Sequence, residues 1–288
     1  MRISSYLRPD GTASYGIADG DRVMDVGDAF RGRFADLRAA LAAGALAEAE
    51  TAAKGASTAF DLSAVTLLSP IPNPDKIICI GLNYMSHIIE TGRDKPAYPS
   101  IFTRYPGSVV GHEVPLIAPK ASERFDFEGE LAVVIGTPGR HIAAADAMAH
   151  VAGYSCFNDG SIRDFQRHTS QFWAGKNFEE SGSMGPWLVT ADALADLAAQ
   201  TMETRLNGEV MQSTAISDLA FGIPELIAYL STVTTLLPGD IIATGTPSGV
   251  GLFREPPVFM KPGDVVEVEI SGIGTLSNPI KAEAEAEA

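Results

Sequence analysis

Acidic side chains stand at the start of one apolar, strand-prone segment, FDFEGELAVVIG at 125–136. Glu128 and Glu130 are two residues apart, so on a strand they point to the same face with Cβ atoms about 7 Å apart. Two like charges held so close are costly unless water solvates them, one is protonated, or a cation lies between them. The pattern leaves two interpretations open, a hydrated strand entry and a cation site.

A third carboxylate, Asp159, ends the strand-like segment HVAGYSCFND. Together with Glu128 and Glu130 it would offer an oxygen-only ligand set with positions left for water or substrate. Such a set suits Mg²⁺, Mn²⁺ or Ca²⁺ rather than zinc. No Cys/His ligand spacing in the sequence competes with it.

A histidine and a carboxylate follow the strand-like KIICI, in GLNYMSHIIETG at 81–92. If this segment is helical, His87 and Glu90 are at i and i+3 and can meet on one face. A carboxylate partner fixes the imidazole tautomer and raises its basicity, as a general base for water requires. The alternative is a surface helix that carries a chance His/Glu pair.

Two further segments have residues that could contact a ligand. Lys176 stands among apolar and small residues in WAGKNF, ten positions after Gln166, and could bind a carboxylate or carbonyl oxygen or extend to solvent. Thr246 lies in TGTPSGVG at 244–251, whose glycines allow the backbone to approach a ligand. This segment lacks the lysine of a phosphate-binding loop, so we exclude nucleotide binding, and a plain turn is the alternative.

Composition favours a small-molecule enzyme over a nucleic-acid or membrane partner. The 288 residues have a formal net charge of −15 and no long Lys/Arg cluster. The N-terminus lacks an apolar signal region and no segment reaches the ~18 apolar residues of a membrane span, so we predict a cytoplasmic protein. Cys79 and Cys156 lie in apolar strand-like runs, which predicts buried thiols rather than a disulfide framework.

The N-terminal part is predicted to be a small β-rich unit. Residues 1 to about 30 alternate short apolar runs with turn signals, which is typical of antiparallel hairpins. The alanine-rich stretch 34–54 predicts a helix that is interrupted near Gly44. Three prolines in LLSPIPNPDK, 67–76, mark a domain boundary.

The remainder is predicted to be mostly strands. One helix is expected at 223–233, with Pro224 in its first turn and apolar residues on one face. We therefore divide the chain into a small N-terminal domain at 1–70, a larger domain at 71–280 and a low-complexity tail at 281–288.

The order of these motifs resembles the fumarylacetoacetate hydrolase family in its bacterial two-part form. The resemblance covers roughly residues 70–280 through GLNYMSHIIE, FDFEGELAVVIG, YSCFNDGSIRDFQ, GKNF, GPWLVT, LNGEVMQ and LLPGDIIATGTPSGVG. It implies an α+β, β-rich fold: a mixed β-sandwich or roll as catalytic domain, preceded by the small β-rich N-terminal domain. It also implies a homodimer with a divalent cation, Mg²⁺, Mn²⁺ or Ca²⁺, at the mouth of the sheet.

The resemblance also implies roles for single residues. The implied metal ligands are Glu128, Glu130 and Asp159, and the implied water-activating pair is His87 and Glu90. The implied substrate contacts are Gln166, Lys176 and Thr246, with Lys176 also offsetting charge during catalysis. Asp126 is not carried over as a ligand.

One position limits the resemblance, and one further residue stays open. In the eukaryotic hydrolase that names the family, an aromatic residue follows the RDxQ element by four positions, where this chain has Ser170. The resemblance therefore does not imply fumarylacetoacetate itself as the substrate. Arg104 could add a second anion contact or could be a surface arginine.

The implied reaction is metal-dependent hydrolysis of a carbon–carbon bond in a 1,3-diketo acid such as an acylpyruvate. The metal would act as Lewis acid and template, His87 would deprotonate water, and the products would be a carboxylic acid and a small keto acid. An alternative is isomerisation or decarboxylation of an unsaturated 2-oxo acid or oxaloacetate at the same site. A second alternative is a non-catalytic metal- or metabolite-binding protein.

Overall fold

A computed structural model describes residues 1–30, 32–194 and 196–284. The strands are β1 (Arg2–Leu7), β2 (Ala13–Asp19), β3 (Arg22–Asp25), β4 (Ala59–Asp61), β5 (Thr66–Leu67), β6 (Ile77–Gly81), β7 (Ser100–Arg104), β8 (Val109–Val110), β9 (Leu116–Ala118), β10 (Phe125–Asp126), β11 (Gly129–Ile135), β12 (Val151–Asn158), β13 (Ser161–Ile162), β14 (Gly182–Thr190), β15 (Thr201–Leu206), β16 (Glu209–Ala215), β17 (Ile241–Ala243), β18 (Val265–Ile270) and β19 (Gly274–Ala282). The helices are α1 (Gly27–Phe30), α2 (Leu37–Ala42), α3 (Leu46–Lys54), α4 (Met85–Glu90), α5 (Arg163–Gln166), α6 (Trp173–Lys176) and α7 (Ile223–Val233). The predicted α+β, strand-rich class is confirmed.

One large sheet spans both predicted domains. Its order is β4-β3-β2-β1-β14-β12-β11-β17-β6-β7, with β5 beside β1 and β8 beside β14. The predicted N-terminal hairpins are present as β1-β2 and β2-β3. The N-terminal strands continue the sheet because β1 pairs with β14, Ile3 opposite Leu188. The division at residue 70 stays a prediction, since backbone pairing crosses it.

A second sheet covers one face of the large one. Its order is β16-β15-β18-β19-β9. Side chains of β11 alternate between two cores: Leu131 and Val133 belong to the core shared with this second sheet, and Ala132 and Val134 to the core under the N-terminal segment. Both faces of β11 are therefore buried, which explains its continuous apolar sequence.

Gly129 stands between the two glutamates because the second sheet comes very close there. A Cβ at Gly129 would lie 2.0 Å from Thr204 Oγ1 on β15. Only glycine lets the sheets approach to this distance.

The predicted helices are present. The stretch 34–54 forms α2 and α3, and Gly44 between them has a φ of +66° that favours glycine. The helix predicted at 223–233 is α7, whose first turn includes Pro224, and the Glu225 carboxylate accepts a hydrogen bond from Gly222 N at 2.8 Å.

Both cysteines are buried and unpaired, as predicted, and burial raises the pKa of each thiol. Strand β19 includes the first two residues of the predicted tail, while residues 285–288 lie outside the described part of the chain. Among the described residues, no helix combines the length and apolar composition that crossing a bilayer demands.

One end of the large sheet gathers the chemically active segments. Strand β11 is antiparallel to β12 and β17, so its first residues lie beside the last residues of those strands. Strand β6 is parallel to β17 and ends on the same side. The starts and ends of these four strands therefore bring residues 81–90, 128–130, 158–159 and 244–246 to one edge.

Candidate active site

Three carboxylates meet at this edge of the sheet. Oxygen atoms of Glu128, Glu130 and Asp159 all lie within 4.8 Å of one another. The three residues are 6%, 1% and 0% exposed, so a hydrated strand entry does not describe them. A buried set of carboxylate oxygens fits a hard divalent cation.

The electrostatics of this cluster support that fit. Burial, together with the charges of Asp159 and Glu128, raises the pKa of Glu130 well above its usual range. Burial also raises the pKa of Glu128, but the charges of Lys176 and Arg163 outweigh it and lower that pKa to about 2. A cation at the cluster would stabilise the ionised form of Glu130 in the same way.

Lys176 is a counter-charge inside the cluster. Its Nζ lies 2.6 Å from Glu128 Oε2 and 2.5 Å from Asp159 Oδ2. Burial lowers the pKa of Lys176, but the charges of Asp159 and Glu128 outweigh it, so the net shift is upward. The side chain is 1% exposed, so it does not extend to solvent.

Two buried arginines complete the counter-charges. Arg163 Nη1 lies 2.6 Å from Glu128 Oε1, and Arg104 Nη1 lies 2.7 Å from Asp159 Oδ1. Arg104 is 2% exposed and also donates to Gly160 O and to Ser181 Oγ. It is therefore not a surface arginine, and its contacts hold Asp159 in place.

His87 and Glu90 lie on α4, the helix that the sequence analysis required for them. His87 Nδ1 is 2.6 Å from Glu90 Oε2, and Glu90 Oε1 accepts a hydrogen bond from Gly249 N at 2.9 Å. His87 is 6% exposed, which separates it from a chance pair on a surface helix. With Nδ1 used by the carboxylate, Nε2 is the nitrogen left for proton transfer.

A cleft of about 190 Å³ opens beside the cluster. Most of the predicted site residues line it, namely His87, Glu128, Glu130, Gln166, Lys176 and Thr246. The other two, Asp159 and Glu90, lie behind this wall and contact Lys176 and His87. The fold therefore brings all eight predicted residues to one site.

Two predicted substrate contacts already have partners. Thr246 Oγ1 donates to Gly129 O at 3.0 Å and accepts from Gln212 Nε2 at 2.8 Å. Gln166 Oε1 accepts from Arg163 Nη1 at 3.0 Å, which leaves its amide N–H groups for a ligand. In this arrangement Thr246 presents an acceptor to the cleft rather than a donor.

Sequence reasoning missed several residues of the site. The sequence assigns no role to Arg163 beyond its place in the RDFQ motif. In the structure it joins Glu128 to Asp126, with its Nε 2.7 Å from Asp126 Oδ2. Arg93 and Arg167 line the cleft, as does Phe253, which lies against the His87 ring. No spacing signal marks them, because each comes from a different loop or helix end.

A family model described as fumarylacetoacetate (FAA) hydrolase, C-terminal, matches residues 76–281. The chain is 48% identical over 225 residues to the oxaloacetate tautomerase YisK of Bacillus subtilis. The alignment covers 77% of this chain and 75% of YisK. It is 46% identical over 220 residues to human mitochondrial oxaloacetate tautomerase FAHD2A, covering 76% of this chain and 70% of the relative.

A solved structure has the same fold over the whole chain. The maleylpyruvate hydrolase of Sphingobium sp. SYK-6, in complex with manganese(II) and pyruvate, superposes with a TM-score of 0.82 at 29% identity. The match covers 99% of this chain and 100% of the hydrolase. On the family match, the identities and the shared fold together, this chain belongs to the fumarylacetoacetate hydrolase family.

Proposed function

We propose that this enzyme is a divalent-metal-dependent tautomerase that interconverts the keto and enol forms of a small 2-oxo dicarboxylic acid, with oxaloacetate as first candidate. The identity of 46–48% to two proteins named oxaloacetate tautomerases supports this choice of reaction and substrate. The names of these relatives favour tautomerisation over hydrolysis, which is the first expectation from the sequence.

The size and charge of the cleft support a small dianion. About 190 Å³ is less than the roughly 300–1,000 Å³ of sites for drug-sized ligands. Lys176 and Arg163 are neutralised by buried carboxylates, whereas Arg93 and Arg167 at the cleft form no ion pair with any described residue. In a chain of net charge −15, these two arginines are suited to the second carboxylate of a diacid.

The carboxylate cluster would hold the metal. Glu128, Glu130 and Asp159 would be its ligands, and Mg²⁺ or Mn²⁺ would polarise the substrate oxygens as a Lewis acid. Lys176 keeps Glu128 ionised, and Arg104 and Lys176 hold Asp159 in place. We propose these roles on the geometry together with the family membership.

His87 would carry out the proton transfer. His87 Nδ1 lies 2.6 Å from Glu90 Oε2, so Nε2 would take the proton from the methylene carbon between the ketone and the second carboxylate. The carbon–oxygen double bond then becomes a carbon–carbon double bond, and the same imidazolium returns its proton to the oxygen. The reaction only moves one hydrogen, so atoms and charge balance.

Carbon–carbon bond hydrolysis is the second candidate. The same pair could take a proton from water, and the Sphingobium relative of matching fold is named a hydrolase. Its product would have to be a carboxylic acid plus a small keto acid. Decarboxylation would instead release CO₂.

The deciding experiment measures product and rate together. Protein stripped with a chelator and restored with Mg²⁺ or Mn²⁺ is given enol-oxaloacetate, and separately acylpyruvates. Loss of the enol signal without change of mass supports tautomerisation, whereas pyruvate plus an acid supports hydrolysis. Because free metal ions catalyse enolisation, Glu130→Gln at the same metal concentration supplies the background, and a rate equal to it contradicts the proposal.

The oligomeric state and the cellular location of the protein stay predictions. We propose a homodimer, on the family resemblance alone. Cytoplasmic location also stays a prediction, and the human relative is named as mitochondrial.

A further inference from the structure

The loop at residues 249–253 contacts the His87–Glu90 pair at both of its ends. Gly249 N donates to Glu90 Oε1 at 2.9 Å, and the Phe253 ring lies edge-on to His87 with centroids 5.9 Å apart. The loop therefore contacts both the Glu90 carboxylate and the His87 imidazole, and a shift of the loop would displace them.

Asp126 holds the middle of the same loop. Its Oδ1 accepts a hydrogen bond from Gly251 N at 2.8 Å, and its Oδ2 accepts one from Leu252 N at 2.9 Å. A Cβ at Gly251 would lie 2.6 Å from Asp126 Oδ1 and 1.8 Å from Val258 O. The backbone thus packs directly on the carboxylate, and only glycine fits there.

The other side of Asp126 is tied to the carboxylate cluster. Arg163 Nε lies 2.7 Å from Asp126 Oδ2, and its Nη1 lies 2.6 Å from Glu128 Oε1. Asp126 is 0% exposed and does not line the cleft, so it cannot contact a substrate there. An ion pair from Glu128 to Arg163, a hydrogen-bonded ion pair from Arg163 to Asp126 and two backbone hydrogen bonds from Asp126 connect the cluster to the loop.

We propose that Asp126 is a positioning residue for the acid–base pair. It fixes the loop that holds Glu90 and keeps that loop in register with the proposed metal ligand Glu128. The proposal rests on the function proposed above, because it acts through His87 and Glu90. Proton transfer depends steeply on such positioning, since a displacement of about 1 Å can cost about 100-fold in rate.

Asp126→Asn is the most informative variant. The asparagine keeps the shape but has one acceptor oxygen, so either Leu252 N and Arg163 Nε, or Gly251 N and Phe127 N, lose their acceptor. We expect kcat to fall about 10- to 100-fold while KM and the Kd for Mn²⁺ stay within about threefold. Amide hydrogen exchange at residues 249–252 should become faster.

A double-mutant cycle separates positioning from general loss of structure. If Asp126 acts through Glu90, the loss of activity in Asp126→Asn and Glu90→Gln should not add in the combined variant. The matched control is Asp240→Asn. Asp240 is equally buried, accepts hydrogen bonds from Leu237 N and Lys76 N, and pairs with Lys76, but these bonds reach neither the 249–253 loop nor the carboxylate cluster.

The outcomes distinguish this inference from the proposed function. Asp240→Asn should lose thermal stability and keep kcat, so an equal kcat loss in both aspartate variants, or additive losses in the cycle, overturns the positioning role. If His87→Ala and Glu90→Gln keep full activity, the proposed function fails instead. If Asp126→Asn does not fold, Asp126→Glu keeps the charge and displaces the carboxylate, and a kcat equal to wild type there overturns the inference.

Discussion

At the scale of single residues, we propose separate tasks for His87 and the carboxylate cluster. His87→Ala should lower kcat about 100- to 10,000-fold, the range of general acid–base catalysis, because His87 is the proposed proton acceptor. Its Kd for Mn²⁺ should stay near the wild-type value, since His87 is not a proposed ligand. Steady-state kinetics measures kcat, and titration calorimetry measures the Kd for Mn²⁺. Full activity in the variant would remove His87 from the mechanism.

Glu130→Gln should weaken metal binding, in contrast to His87→Ala. Saturating Mn²⁺, about 100 times its Kd, should raise the unfolding temperature of the wild type by about 5–10 °C, and Glu130→Gln should lose most of this rise. The metal-free variant should be at least as stable as wild type, because burial and the neighbouring Asp159 and Glu128 disfavour an ionised Glu130. Differential scanning fluorimetry with a chelator control measures these unfolding temperatures. An undiminished rise on addition of Mn²⁺ to Glu130→Gln would exclude Glu130 as a ligand.

Arg93 and Arg167 give a prediction about substrate choice. Replacing both by Ala should raise KM for oxaloacetate about tenfold or more, since a hydrogen bond to a charged group contributes about 1.5–3 kcal/mol. The KM for a 2-oxo monocarboxylic acid should change little, because it lacks the second carboxylate. Equal changes for both substrates in steady-state kinetics would show that these arginines do not select diacids.

At the scale of elements, one buried carboxylate joins the N-terminal strands. Asp25 on β3 accepts from Tyr6 OH at 2.6 Å on β1 and pairs with Arg8 at 2.8 Å. Burial raises the pKa of Asp25, but the hydrogen bonds from Arg8 and Tyr6 outweigh it, so the net pKa is lowered. The folded state therefore prefers the ionised form, and this stabilisation is lost as pH falls through the lowered pKa.

Asp25→Asn tests that contribution. The variant should lose about 1–3 kcal/mol of unfolding free energy at pH 7, and the difference from wild type should shrink below about pH 4. Denaturant titrations at several pH values check this, with Asp61→Asn as an exposed control on the neighbouring β4. A difference that is constant down to pH 2 would contradict the assignment.

At the scale of the whole molecule, the edge of the large sheet bears on oligomerisation. Strand β7 ends the sheet, and apolar side chains near it are exposed, Ile101 at 38% and Tyr105 at 57%. The Asn177 side chain already hydrogen-bonds to Thr103 O and Tyr105 N along this edge, so we expect a second chain to pack on the exposed apolar side chains rather than to extend the sheet. We expect a mass near twice 30.3 kDa by light scattering, and a shift toward monomer in Ile101→Lys. A single species of monomer mass contradicts the homodimer prediction.

Much of the fold and the site could be predicted from the sequence. Local signals determined the elements: Pro224 and the apolar spacing placed α7, and the turn residues placed the N-terminal hairpins. Side-chain period and residue type placed Glu128 and Glu130 on one face and joined His87 to Glu90 within one helical turn. These signals act over a few residues, so the sequence carries them directly.

Only the tertiary structure decided how the site is held together. Arg104 meets Asp159 from 55 residues away, and Gly249 meets Glu90 from 159 residues away. Arg163 joins Asp126 to Glu128 because β10 pairs with β13 and carries both groups to the same buried edge. The sequence by itself determined which groups are candidates for the chemistry, whereas their counter-charges and positioning contacts depend on strand pairing between distant segments, which local pattern does not encode.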